Sequence, residues 1–244
     1  MTFTQDTLVA DVATAAPATI KIFQRHGIDF CCGGKRPLAE ACAEAGLDVE
    51  ALRGELLAAE AGAGAGERDW QEAPLAELVD HILVRYHARL REDLPRLAEM
   101  AERVVRAHGE KRPEVPEVAR VLAGLRAEME AHTQKEERVL FPYVGQLEQL
   151  DAAGGTLPGS PFGSVRAPIG CMEDEHDAAG AALARLRELT GGFQPPAGAC
   201  PTFRGLYHGL AELETDLHRH IHLENNVLFP RAQALEAELT GMPV

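Results

Sequence analysis

Residues 220–230 read HIHLENNVLFP, and residues 132–142 read HTQKEERVLFP. In each, glutamate follows histidine by four places and Val-Leu-Phe-Pro follows at the same offset. Four residues make one helical turn, so His132 and Glu136 share a helix face, as do His220 and Glu224. One such pair is an ordinary exposed ion pair and says nothing about function. Two of them, 88 residues apart, are a repeat. The repeat reaches further back. His87 opens HARLREDLPRL and His176 opens HDAAGAALARL, 89 residues apart. Each half therefore holds a lone histidine and, 45 or 44 residues later, a His-x-x-x-Glu.

Apolar residues recur at helical spacing around these positions. Leu75, Leu78, Val79, Ile82, Leu83, Tyr86, Leu90, Leu94, Leu97, Val104 and Val105 stripe a first helix over about 74–108, which GEKRPEVPE breaks. Val118, Val121, Leu122, Leu125, Met129, Val139 and Leu140 stripe a second over about 116–149. A Gly/Pro-rich loop leads to a third over about 171–190, and GGFQPP to a fourth over about 201–238. Val139, Leu140, Val227 and Leu228 are expected in the core. Pro142 and Pro230 are expected to kink or end their helices. No alternating strand pattern occurs. The chain reads as all-α, with a duplicated helical hairpin forming an antiparallel four-helix bundle.

Upstream, AGAGAGERD at 61–69 reads as a linker. Before it lies a small helical module, with stops at Gly27 and Gly46 and an N-cap at Asp48. The expected division is a helical module over 1–60, a linker over 61–73 and the bundle over 74–244.

The chain has 244 residues, 45% apolar, with a formal net charge of −14. Such a charge repels phosphate backbones and anionic lipid, which argues against nucleic acid and membrane surfaces as partners. No apolar run approaches the roughly 20 residues needed to span a bilayer. The N-terminal MTFTQDTLVADVA carries no secretory pattern, and the five cysteines are an odd number. A cytoplasmic protein without a disulfide framework is expected.

Helical rise places His87 roughly 31 Å from the end of its helix and His132 roughly 27 Å from the start of the next. The heights nearly match in an antiparallel hairpin. The second half matches less well, at roughly 21 Å for His176 and 28 Å for His220, a difference left to the GGFQPPAGAC turn. Four histidines and two glutamates then share one level of the core, which is an inventory for a metal pair. Two carboxylates can bridge two ions, and four imidazoles can give each ion two terminal nitrogens. Mixed N/O ligation suits iron or manganese better than closed tetrahedral zinc, and does not choose between the first two. Glu137 competes with Glu136 for the ligand role, but its counterpart is Asn225, so Glu136 is preferred. His81 faces away from His87, His218 and His222 point away from His220, His108 is expected at solvent, and His26 and His208 have no evident partner.

The pattern His87, His132-x-x-x-Glu136, His176, His220-x-x-x-Glu224 resembles the hemerythrin-like di-iron bundle. Together with the N-terminal DFCCGGK, DHILVRYH, EHD and HIHLENNVLFPRA, the chain resembles the bacterial iron–sulphur cluster repair proteins of the ScdA type over residues 5 to 235. The resemblance implies two irons, oxo-bridged and carboxylate-bridged by Glu136 and Glu224, with the four histidines terminal. It implies a cytoplasmic protein acting on damaged iron–sulphur proteins, either by donating iron or by binding or reducing nitric oxide or another small diatomic ligand. It implies a repair protein with a redox-active centre more than a classical turnover enzyme, and a homodimer is compatible with it. A hemerythrin-like carrier or sensor of oxygen or nitric oxide, or a di-iron nitric oxide reductase, is the alternative. Cys31 and Cys32 are then candidates for handling iron, nitrosyl or a partner. Nearby Lys35 and Arg36 are expected to favour their thiolates.

Overall fold

The computed structural model describes residues 3–62, 68–157 and 162–241. The N-terminal module consists of α1 (Val9–Ala15), a 3-10 turn (Pro17–Thr19), α2 (Ile20–His26), α3 (Leu38–Ala45) and α4 (Val49–Gly62). α2 and α3 end where the sequence indicates, at Gly27 and Gly46, whose φ values of 68° and 67° strain any side chain but glycine's. Asp48 caps α4, its Oδ1 accepting from the backbone N–H groups of Glu50 at 2.8 Å and Ala51 at 3.2 Å. Of the expected linker, residues 63–67 lie outside the described residues. Of the rest, α4 runs to Gly62, Ala73 is buried and Trp70 packs on an apolar cluster of the bundle, while residues 61, 62, 68, 69, 71 and 72 are exposed.

Four long helical rods follow. The first joins α5 (Leu75–Ile82) to α6 (Ala88–His108), and the second joins α7 (Glu114–Lys135) to α8 (Phe141–Ala152). The third is α9 (Arg166–Leu189), and the fourth joins α10 (Pro201–Leu223) to α11 (Phe229–Thr240). α6 packs on α7 and α10, and α9 on α7 and α10, which closes the bundle. In the 190–200 turn, Thr190 accepts from the Phe193 backbone N–H at 2.9 Å while Phe193 buries its ring at φ 61°.

Three of the rods are interrupted by a π turn: Leu83–His87, Glu136–Leu140 and Glu224–Leu228. Each is closed by a bond that reaches back five residues, from Ala88, Phe141 and Phe229 to the carbonyls of Leu83, Glu136 and Glu224. Pro142 and Pro230 therefore do not end their helices. Each falls in the first turn of the resumed α-helix, where its missing N–H costs little. The π turn at His87 has no such proline.

Val139 corrects an expectation: it is 45% exposed, whereas Leu140, Val227 and Leu228 are buried. α1 packs against the Glu224–Leu228 turn, which holds the buried Val227; the sequence-equivalent Val139 remains at the surface. The docked N-terminal module breaks the symmetry of the repeat.

The repeat also sets two helix starts. Twelve residues past each motif glutamate stands another, Glu148 or Glu236. Glu148 accepts from the N–H groups of Leu75 (2.6 Å) and Ala76 (2.9 Å) at the start of α5. Glu236 accepts from the Val165 N–H (2.9 Å), Ser164 Oγ (2.7 Å) and Tyr143 Oη (2.6 Å) at the start of α9. Carboxylates at helix N-termini gain from the dipole and satisfy otherwise orphaned donors. Because Glu236 is buried, Glu236→Ala is expected to cost about 2–4 kcal/mol by stranding its donors, read by denaturant unfolding. A loss within experimental error would mean the cap is dispensable.

Candidate metal centre

His87, His132, Glu136, His176, His220 and Glu224 are all buried, each at most 1% exposed. They form a polar layer between two apolar cores. One is built from α5, α8, α11 and the start of α9. The other comprises the N-terminal module and the far halves of the bundle helices. The layer resolves into two ligand groups: His87, Glu136, His220 and Glu224 make one, and His132, Glu136, His176 and Glu224 the other. Both carboxylates belong to both groups.

The pairing crosses the repeat. His87 Nε2 faces His220 Nε2 at 3.1 Å, and His132 Nε2 faces His176 Nε2 at 3.1 Å. Each ion position thus draws one histidine from each half. Glu136 Oε2 lies 3.4 Å from His87 Nε2 and 3.3 Å from His132 Nε2. Glu224 lies 2.9 Å from His220 Nε2 through Oε1 and 3.2 Å from His176 Nε2 through Oε2.

Whether this layer fits cations is decided by what it leaves unsatisfied. Neither oxygen of Glu136 accepts a hydrogen bond, nor does Glu224 Oε2. Burial alone pushes both carboxyls up, but the facing imidazoles hold Glu136 below and Glu224 well below the usual carboxylate range. Both directions favour the carboxylate form in a buried layer. Burial likewise depresses His132, yet the Glu136 carboxylate overrides it and raises the imidazole to about 9. His87 is likewise held up by Glu136, whereas burial depresses His220, so the imidazoles alone do not balance the two carboxylates. Cations at the two ligand groups satisfy this demand, and the donor set is oxygen and imidazole with no thiol.

The rings are held from behind. His87 Nδ1 meets Glu137 at 2.8 Å, His176 Nδ1 meets Asn225 at 2.7 Å, and His132 Nδ1 meets Glu175 at 2.9 Å. Such partners fix the tautomer and leave Nε2 to face the ion. Glu137 is thus an orienting group, as is its repeat partner Asn225, and neither belongs to the ligand groups. Glu175 immediately precedes His176, and the residue preceding His87 is Tyr86. Tyr86 stacks on His220 with ring centroids 5.3 Å apart and planes 5° apart. It offers no acceptor to His220 Nδ1, which is buried without a hydrogen-bond partner. Aligning the halves one residue further would have found this second set in the sequence.

The histidines outside the layer have other work. Phe30 sits between His218 and His222, at centroid distances of 6.1 and 5.5 Å. His222 Nδ1 donates to the Phe30 carbonyl at 3.1 Å, and Asn226 Nδ2 donates to the Cys31 carbonyl at 3.1 Å. These contacts dock the N-terminal module on the fourth rod. His81 stacks on Trp70. His26 meets Glu55 at 3.0 Å, and exposed His208 lies 3.4 Å from Glu212. His108, expected at solvent, is half-buried against Phe203 with Nε2 3.4 Å from Cys200 Sγ.

The docked module carries Cys31 and Cys32 to the metal layer. Cys32 Sγ lies 3.6 Å from the backbone oxygen of His176. Asp29 shapes their loop, Oδ1 accepting from the N–H groups of Cys31 (2.9 Å) and Cys32 (3.1 Å) and Oδ2 from that of Gly33 (2.8 Å). Gly34 is required there: a Cβ would stand 2.6 Å from the Phe30 oxygen. The expected thiolate activation by Lys35 and Arg36 is not found at Cys31. Lys35 pairs with Glu173 and Arg36 with Glu44. The neighbouring Cys32, burial and Asp29 hold the Cys31 thiol well above its usual range.

A helical bundle with four histidines and two shared glutamates around a buried two-ion position is hemerythrin-like. Residues 78–232 match the hemerythrin HHE cation binding domain, and the chain belongs to that family. Residues 5–60 match the ScdA_N family, described as a domain of unknown function. The chain is also similar to proteins named iron-sulfur cluster repair protein YtfE. That of Pectobacterium carotovorum is 44% identical over 230 residues, 93% of this chain and 97% of the relative. That of Cronobacter sakazakii is 44% identical over 234 residues (95% and 98%), and that of Yersinia pseudotuberculosis 45% over 222 residues (91% and 94%). No described helix is long and apolar enough to cross a membrane.

Proposed function

We propose that this protein is a cytoplasmic non-haem di-iron protein that repairs iron–sulphur clusters damaged by nitric oxide or oxidants. The observation that carries the proposal is that the Cys31–Cys32 loop packs against the helix bearing His176, with Cys32 Sγ 3.6 Å from the His176 backbone oxygen, beside a thiolate-free, two-carboxylate, four-imidazole layer. A site that releases metal is better made of imidazole and carboxylate than of thiolate, and the relatives' printed name supports the reading. Iron held there, read as an oxo-bridged pair, supplies redox chemistry and room for a small exogenous ligand such as nitric oxide. In this reading His87, His132, His176 and His220 hold terminal positions, and Glu136 and Glu224 are shared by both ions. Glu137, Glu175 and Asn225 fix the rings. The two apolar cores exclude water from the layer. Cys31 and Cys32 receive iron or nitrosyl, or meet the client protein. A plain carrier of oxygen or nitric oxide needs only the bundle and gives the docked cysteine module no role.

The test is reactivation of a nitric-oxide-inactivated iron–sulphur enzyme by the purified protein. Wild type is expected to restore activity stoichiometrically. Cys31→Ser with Cys32→Ser is expected to keep its metal, by elemental analysis, and to lose most of the repair. Wild-type repair by the double variant would remove the cysteines from the mechanism. Failure of wild type to repair, with steady consumption of nitric oxide given an electron donor, would make it a reductase instead.

A further inference from the structure

A cavity of about 380 Å³ opens where the N-terminal module meets the bundle. Ala13, Thr14, Pro17 and Ile20 line it from the module, Arg68, Trp70 and Gln71 from the segment entering the bundle, and His81, Arg85, Tyr86, Arg219 and His222 from the rods. Its volume falls within the roughly 300–1,000 Å³ typical of small-molecule sites.

Its charge is opposite to that of the protein. The chain carries 38 acidic residues against 24 basic ones, yet three arginines and no carboxylate line this cavity. Arg68 and Arg85 have carboxylate partners, Glu77 and Asp216, that lie outside the lining. Arg219 has no ion-pair or hydrogen-bond partner among the described residues, and its Nε is buried without an acceptor. A buried guanidinium N–H without an acceptor is a cost that the fold leaves unmet and an anion would meet. Burial depresses His81, and Arg85 and Arg68 push it further down, the response of an imidazole to a positive potential.

The cavity also reaches the metal layer. Tyr86 lines it and stacks on His220. An occupant therefore sits one side chain from an ion position. We propose that this cavity binds a small organic anion carrying two or more negative charges, through carboxylates or a phosphate, with Arg219 as its principal donor.

Trp70 is the only tryptophan of the chain and lines the cavity, so its fluorescence reports on the site. The experiment titrates the full-length protein, metal-loaded and metal-free, with tricarballylate, which has only carboxylates, and glycerol phosphate, at constant ionic strength set by chloride. Saturable quenching or enhancement by at least one anion is expected in both metal states, and which anion acts separates carboxylate from phosphate recognition. Arg219→Gln is expected to weaken that affinity about 10- to 100-fold, since a charge-assisted bond is lost. Arg219→Lys keeps the charge without the fork and should fall between the two. No saturable response up to about 10 mM, near the millimolar limit of specific affinity, would overturn the proposal. So would an equal response to chloride alone, or an unchanged affinity in Arg219→Gln. Because binding is read in metal-free protein as well, its failure would leave the iron reading untouched.

Discussion

Glu224→Ala is expected to reduce the metal content of the purified protein from the proposed two ions per chain to less than one. The reason is that Glu224 belongs to both ligand groups. It stands 2.9 Å from His220 and 3.2 Å from His176, so its removal takes an oxygen from each ion at once. Loss of a group that merely orients a ligand costs about 10- to 100-fold in metal affinity, and loss of a shared ligand costs more. His220→Ala provides the contrast. It strips the His87 position but leaves His132, His176 and both glutamates, so about one ion should remain. Stability provides a second readout. An ion present at about 1,000 times its dissociation constant stabilises the folded state by about 4 kcal/mol. Wild type should therefore lose stability sharply when a strong chelator is added, whereas Glu224→Ala should be nearly indifferent to it. Full metal content in Glu224→Ala, by elemental analysis, would show that Glu224 is not shared and would undo the two-ion reading of the layer.

The sequence carries the periodic parts of this structure and hides the non-periodic ones. The two His-x-x-x-Glu words and the two lone histidines are legible because helical spacing converts directly into a shared face. The same logic places Gly27, Gly46 and Asp48 at helix ends. The pairing of His87 with His220, and of His132 with His176, is a tertiary fact that spacing along one helix cannot reveal. The π turns are hidden for a related reason. Each skips one step of the hydrogen-bond ladder without changing the residue types, and proline suggests a break where the chain runs on. Val139 falls in the apolar stripe of its helix, yet it stays at the surface, and the docked module makes the halves unequal. The charges beside Cys31 in sequence point to an activated thiol. Folding pairs Lys35 and Arg36 elsewhere and sets Asp29 under the thiol instead.

The inequality of the halves extends to the ions themselves. Under chelation, the ion at His87 and His220 will leave before the ion at His132 and His176. Both histidines of the latter pair are braced: His132 by Glu175, itself paired with Lys135, and His176 by Asn225. In the former pair only His87 is braced, by Glu137. His220 Nδ1 has no acceptor, because the residue before His87 is Tyr86 where the residue before His176 is Glu175. A carboxylate behind an imidazole raises its basicity and fixes its orientation, so its absence weakens the ligand. The expected asymmetry is about 10- to 100-fold in affinity, seen as two separate phases when metal content is followed against chelator concentration. Glu175→Ala should remove the brace from His132 and merge the two phases. A single phase in wild type, or no merging in the variant, would show that the bracing does not govern retention. The order of release also bears on repair. In the proposed repair by iron donation, the ion at the unbraced position beside Tyr86 is the one expected to leave while the layer keeps its shape.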